Sequence, residues 1–156
     1  MTDRQCVLTI AAASGRVAYV LLKDMHVSAW GLSRKASNGP DDAALCAARW
    51  IEWLRPDVVV TEKITKGSKK GARTRSVTSA ITAVADRADI LNVEVVRGRS
   101  YPSKYAEAHG LARDFPELAH LVPKRRKPWD TEPRTTVYFE ALALALAALG
   151  DPNIER

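Results

Sequence analysis

Two glutamates stand where a carboxylate has chemistry to do. Glu62 closes the run from Pro56, PDVVVTE, whose β-branched core is of the kind buried on both faces of a sheet. In open α/β sheets ligands gather beyond the carboxyl ends of the strands, so an acid at that end faces a site. Glu140 is the one charged residue in VYFEALALALAAL, from Val137 to Leu149. A carboxylate on a buried helix is costly unless it is paired or bound to a cation. Acids so placed suit a metal-dependent phosphodiesterase, in which carboxylates from strand and helix ends hold magnesium ions about 4 Å apart against the attacking and leaving oxygens. The plainer alternative for Glu62 is a loop carboxylate neutralised by Lys63 and its basic neighbours. For Glu140 it is a narrow solvent-facing stripe, or a pairing with Arg134 or another arginine.

A phosphodiester also needs cations, and the chain has them in clusters. The segment KITKGSKKGARTR holds Lys63, Lys66, Lys69, Lys70, Arg73 and Arg75 with no acid, and Lys124, Arg125, Arg126 and Lys127 follow later as KRRK. Clusters of this kind release counterions on meeting a phosphate backbone; the alternative is a solvated basic loop. Arg97, Arg99 and Lys104 lie in a third basic stretch. Trp129 and Tyr101, each beside basic residues, are candidates to stack on a base or to anchor their loops to the core. Glu132 and Asp130 precede Pro133, where capping of the following helix accounts for both, with Glu132 a further candidate for the site.

The elements that must position these groups follow from run length and period. Residues 6–13 and 16–23, separated by Ser14-Gly15, read as a β-hairpin, and residues 26–33 add a third antiparallel strand after Asp24-Met25. A helix is expected from about Asp41 to Arg55, capped by Asn38 or Asp41, with Leu45, Ala48, Ile51 and Leu54 inward. A strand over 57–61 carries Glu62 at its end. Beyond the basic segment come a helix over 74–88, a strand over 93–97, a short helix over 103–113, a turn or two at 117–121, and an apolar helix over 134–149. Strands first, then helices alternating with strands, give an α/β fold with a mixed five-stranded sheet, three antiparallel strands and then two more, flanked by helices.

At 156 residues, 46% hydrophobic and 27% charged, the chain is expected to form one domain over 1–156. Its net charge of +6 favours an anionic partner. Cys6 and Cys46 have no Cys-x-x-Cys spacing and read as reduced thiols, and the three histidines have no metal-binding spacing. Without a signal-peptide pattern or an apolar run of about 18 residues, the expected location is cytoplasmic, with no membrane partner. Phosphate-binding glycine loops, a nucleophile elbow and a metalloprotease histidine pair are absent.

The order of elements, the acid closing the fourth strand and the final Ala/Leu-rich helix bearing an acid together resemble the RuvC family of Holliday-junction resolvases, in the ribonuclease H-like superfamily. The family's opening strand reads Ile-Asp-Pro-Gly-Ser; here the matching residues are Ile10, Ala11, Ala12, Ala13 and Ser14, followed by Gly15 and Arg16. Its Ile-Glu motif after a Pro-Asp-led strand is similar to Pro56 through Glu62. Its closing pair of acids, one helical turn apart before Ala-Leu-Ala, is similar to Val137 through Ala143, with Glu140 as the later acid and Val137 at the earlier position. The resemblance implies a ribonuclease H-like sheet, a homodimer, DNA as partner, and Mg2+ or Mn2+ as cofactor if the site is active. It also implies a degenerate site, since Ala11 and Val137 occupy two of four ligand positions and leave Glu62 and Glu140.

Three readings of function follow. The first is a RuvC-like protein that binds structured or branched DNA, with endonuclease activity weakened or lost. The second is an active metal-dependent Holliday-junction endonuclease in which Glu62, Glu140 and a nonstandard acid such as Glu132 hold the metal. The third is a scaffold that turns its basic loops toward an acidic protein partner.

Overall fold

The structure is a computed structural model describing residues 5–97, 103–123 and 135–150. Three apolar runs at the start form the expected meander: β1 (Cys6–Ala13), β2 (Arg16–Lys23) and β3 (His26–Ser33) pair antiparallel in sequence order. The β1–β2 turn places Gly15 at φ +79, and Asp24 and Met25 both take positive φ in the β2–β3 turn. The second, with both central residues at positive φ, is the kind of two-residue turn that matches the right-handed twist of the strands it joins.

β4 (Val58–Glu62) pairs parallel with β1, and β5 (Leu91–Val95) parallel with β4, so the sheet order is β3-β2-β1-β4-β5. This is the mixed five-stranded sheet expected from the sequence. β4 is buried along its whole length, as its β-branched run demands. Glu62 is the last residue of that strand and not the first residue after it. β5 begins and ends two residues earlier than its apolar run suggests, which leaves Arg97 beyond the strand's carboxyl end.

The alternation of β1 divides the core. Val7 and Ala11 pack with α3 (Lys104–Asp114) and α4 (Thr136–Leu149), while Leu8, Ile10 and Ala12 pack with α1 (Pro40–Leu54) and α2 (Ala72–Arg87). α4 lies on the sheet with Phe139, Leu142 and Leu144 fully enclosed, as its apolar character requires. Short 3-10 turns at Lys35–Asn38 and Pro116–Leu121 link the layers, and the second is tied to β3 where the Val27 N–H donates to Glu117 Oε2 at 2.8 Å.

α1 departs from expectation in two ways. Its N-cap is Gly39 with no side-chain cap, so neither Asn38 nor Asp41 plays that part; Pro40 opens the helix and Asp41 and Asp42 stand in its first turn, where acids suit the dipole. Its buried stripe is Ala43, Ala47 and Ile51, and Leu45 and Ala48 face outward. Apolar residues are not confined to one stripe, with Leu45 and Trp53 exposed, and the helix packs mainly on α2 with Ala43 and Ala47 buried.

Candidate functional site

The site opens where two strands part. β1 and β4 are paired from Val7/Val58 to Thr9/Val60 only, so Ala11 to Ala13 on one side and Thr61 and Glu62 on the other continue without pairing to each other. β4 meanwhile stays paired with β5 to its end, Glu62 opposite Val95. Glu62 is thereby held rigidly at the carboxyl edge of the sheet. A cleft of about 650 Å3 lies over that edge, with Glu62, Glu107 and Glu140 in its wall and Lys63, Lys69 and Lys104 around it.

The three carboxylates are 4 to 7% exposed, so each needs a partner. Lys70 Nζ donates to Glu62 Oε1 at 2.6 Å and to the Ala12 carbonyl at 2.7 Å, and lies 3.8 Å from Glu140 Oε2. Arg97 Nη2 donates to Glu107 Oε1 at 2.7 Å, and its Nη1 lies 3.6 Å from Glu140 Oε1. Lys104 Nζ is also 3.6 Å from Glu140 Oε1. Glu140 is therefore buried on the inner side of α4, not on a solvent stripe, and among the described residues the arginine near it is Arg97. Among the basic neighbours of Glu62, Lys70 is the one that neutralises it.

Electrostatics in the wall follow from burial. Removal from water pushes the Glu107 carboxyl above its ordinary range, against the pull of Arg97. Burial works against the Arg97 charge, but Glu140 and Glu107 outweigh it and hold the guanidinium above its ordinary value. Arg97 stays charged at any physiological pH.

The other basic candidates take different places. Lys63, Lys66 and Lys69 are exposed, and Lys63 and Lys69 border the cleft. Arg75 is structural: its Nε donates to the Lys70 carbonyl at 2.9 Å and its Nη2 to the Ser68 carbonyl at 2.6 Å, fixing the loop that delivers Lys70. Arg73 reaches a second cavity of about 320 Å3 beside the β1–β2 turn, shared with Arg34 and Ser37. Lys124 to Lys127, Trp129, Asp130, Glu132 and Arg134 lie outside the described residues, as do Arg99 and Tyr101. Glu107 is the site residue that sequence reasoning missed. Its one signal is position: it shares a face of α3 with buried Ala108 and Leu111.

Comparisons with solved structures bear on the fold that carries this site. Thermus thermophilus RuvC aligns over 92% of both chains with a TM-score of 0.61 at 12% identity. The fowlpox virus Holliday junction resolvase covers 93% of this chain and 98% of its own, with a TM-score of 0.58 at 13% identity. T. thermophilus RuvC in complex with Holliday junction substrate gives a TM-score of 0.56 at 10% identity, over 94% of this chain and 96% of its own. The fold is ribonuclease H-like, as in RuvC. No protein-family model matches the sequence, and no curated protein matches it.

The resolvase resemblance raises a divalent cation, and the described residues do not fit one. Magnesium demands near-octahedral oxygen ligands at about 2.1 Å, whereas here a lysine ammonium already holds Glu62 Oε1. Ala11 and Val137 offer only hydrocarbon, and among the described residues no group of three His, Cys, Asp or Glu side chains is placed to hold a metal. Also among the described residues, no helix is long and apolar enough to cross a membrane.

Proposed function

We propose that this chain is a RuvC-like protein that binds structured or branched DNA, with endonuclease activity weakened or lost. The observation that carries the reading is the cleft at the carboxyl edge of a resolvase-type sheet, bordered by Lys63, Lys69 and Lys104 and walled by carboxylates already paired with Lys70 and Arg97. A phosphate backbone entering it meets exposed ammonium groups on a fixed frame. The similarity to resolvases, one of them solved with Holliday junction substrate, makes branched DNA the ligand to try first.

Loss of cleavage is supported by the same wall. Efficient phosphodiester cleavage with two metals needs several free carboxylates to converge, and this wall has Ala11 and Val137 at two of the positions the resemblance assigns to acids. Lys66 and Arg73, and by their charge Lys124 to Lys127, are further candidates for phosphate contact, and a homodimer is what the resemblance implies.

A labelled four-way junction and its matching duplex, incubated with the protein in EDTA, magnesium or manganese at two salt concentrations, test this on native and denaturing gels. The expected result is salt-sensitive binding that prefers the junction, without cutting in any metal. Equal affinity for duplex and junction removes branch recognition, and no binding removes the proposal. Metal-dependent cutting that disappears in Glu62→Gln and Glu140→Gln overturns the loss of activity and brings back the reading in which Glu132 completes the ligand set.

A further inference from the structure

We infer that Lys70 is a built-in cation of the cleft, its ammonium holding the place between Glu62 and Glu140 for which a divalent ion would compete. An ammonium has three donors and no acceptor. Two are directed at Glu62 Oε1 and the Ala12 carbonyl, and Glu140 Oε2, which is buried without a hydrogen-bond partner, lies 3.8 Å away on the remaining side. Carboxylate, carbonyl and carboxylate are hard oxygen donors of the kind a divalent cation takes.

The lysine is not a mobile side chain that happens to fall there. Arg75 fastens the carbonyls of Ser68 and Lys70, and the Lys70 N–H points to Ser68 Oγ at 3.3 Å, so the backbone that carries the ammonium is fixed from both sides. The ammonium also satisfies a backbone group that the fold leaves open. Beyond Thr9 the β1 edge is not paired with β4, and the Ala12 carbonyl there accepts from Lys70. Lys70 thus closes the sheet and charges the cleft in one stroke, with its side chain 17% exposed.

A doubly charged ion brought to Glu62 Oε1 would stand within a few ångströms of a fixed positive charge, in a wall where water screens poorly. Both cannot occupy the site. The cations lining the cleft, Lys63, Lys69, Lys70, Arg97 and Lys104, outnumber the carboxylates Glu62, Glu107 and Glu140, so the cleft is positive with no metal bound. This inference goes beyond DNA binding and is tested without DNA.

The probe is manganese alone. Electron paramagnetic resonance of Mn2+ with the wild-type chain is expected to show no ion bound in a way that Glu62→Gln abolishes. In Lys70→Gln, which keeps a neutral donor but vacates the charge, manganese is expected to bind and to raise the thermal midpoint by about 4 °C at tenfold excess over its Kd. Adding Glu62→Gln to that variant removes the rise. Manganese bound by the wild type through Glu62 overturns the inference, and so does a folded Lys70→Gln variant that gains no manganese. If Lys70→Gln does not fold, the wild-type spectrum decides alone. A failure of junction binding leaves each of these outcomes unchanged.

Discussion

Replacing Arg97 with methionine tests whether the wall of the cleft is held by charge. Methionine keeps much of the aliphatic volume and deletes the guanidinium, which donates to Glu107 Oε1 at 2.7 Å and stands 3.6 Å from Glu140 Oε1. The Glu107 and Glu140 side chains are 8% and 5% exposed, so their charges stay buried when the partner goes. Breaking a buried pair by removing one member costs about 3–5 kcal/mol. Arg97 is itself a quarter exposed and Glu140 retains Lys70 and Lys104, which places the expected loss near the lower bound, about 3 kcal/mol at neutral pH.

The pH dependence gives the sign. Burial already raises the Glu107 carboxyl above its unfolded value, so the fold favours its protonated form, and that contribution is present in acid and lost as pH rises through the folded value. Arg97 opposes the rise; without it the carboxyl moves further up. Each unit of further shift adds about 1.4 kcal/mol to the loss at neutral pH and none below both values. The gap between wild type and Arg97→Met therefore narrows on acidification from about pH 7 to about pH 5. Urea unfolding followed by circular dichroism at the two pH values measures it, and the double variant with Glu107→Gln should recover much of the loss by removing the stranded charge. A loss under about 1 kcal/mol, or a gap that widens in acid, refutes a charge-held wall.

Three further outcomes are expected. Replacing Lys63, Lys66 and Lys69 together with alanine weakens junction binding, and the slope of log affinity against log salt falls by about 0.9 for each phosphate that is no longer neutralised; an unchanged slope means that other cations meet the backbone. Gly31→Ala drives a methyl group into the ring of Tyr19, which is buried and packed against Trp50 at a 4.8 Å centroid distance with the rings tilted by 57°, so denaturant unfolding should show a loss of about 1–3 kcal/mol. Cys6 and Cys46, both pushed up by burial, alkylate with iodoacetamide more slowly than an unfolded-chain thiol near pH 8, and their rates converge with it only in denaturant.

What the sequence disclosed depended on how local each determinant was. β1 to β4 were legible because uninterrupted apolar runs bounded by Ser14-Gly15, Asp24-Met25 and Pro56 leave little choice of register or length. Glu62 and Glu140 stood out because a charge inside an apolar run must be explained. Glu107 did not, since α3 is weakly amphipathic and its partner Arg97 reaches it only through the path of the chain between them. The stripe of α1 was misread for a related reason. Ala43, Ala47 and Ile51 compete with Leu45, Ala48 and Ile51 at helical spacing, and packing on α2 decides between them. Nor does a segment of six basic residues reveal which one turns inward; that depends on an opening between β1 and β4 that only the sheet creates.

The alanines at the end of β1 and the inward lysine belong to one electrostatic arrangement. Glu62, Glu107 and Glu140 bring three negative charges into the wall, and Lys70, Arg97 and Lys104 bring three positive ones within 4 Å. These six paired charges balance among themselves, with Lys63 and Lys69 at the rim making the cleft as a whole positive, and in a poorly solvated wall each added charge must be matched at close range or paid for in desolvation. An aspartate at Ala11, which is 1% exposed and faces Ala18 across the hairpin, adds an unmatched anion. Charge balance at the edge of this sheet therefore couples positions 11 and 70: an acid at the first becomes tolerable together with the loss of the lysine at the second, because only then does the surplus of negative charge call for a divalent ion.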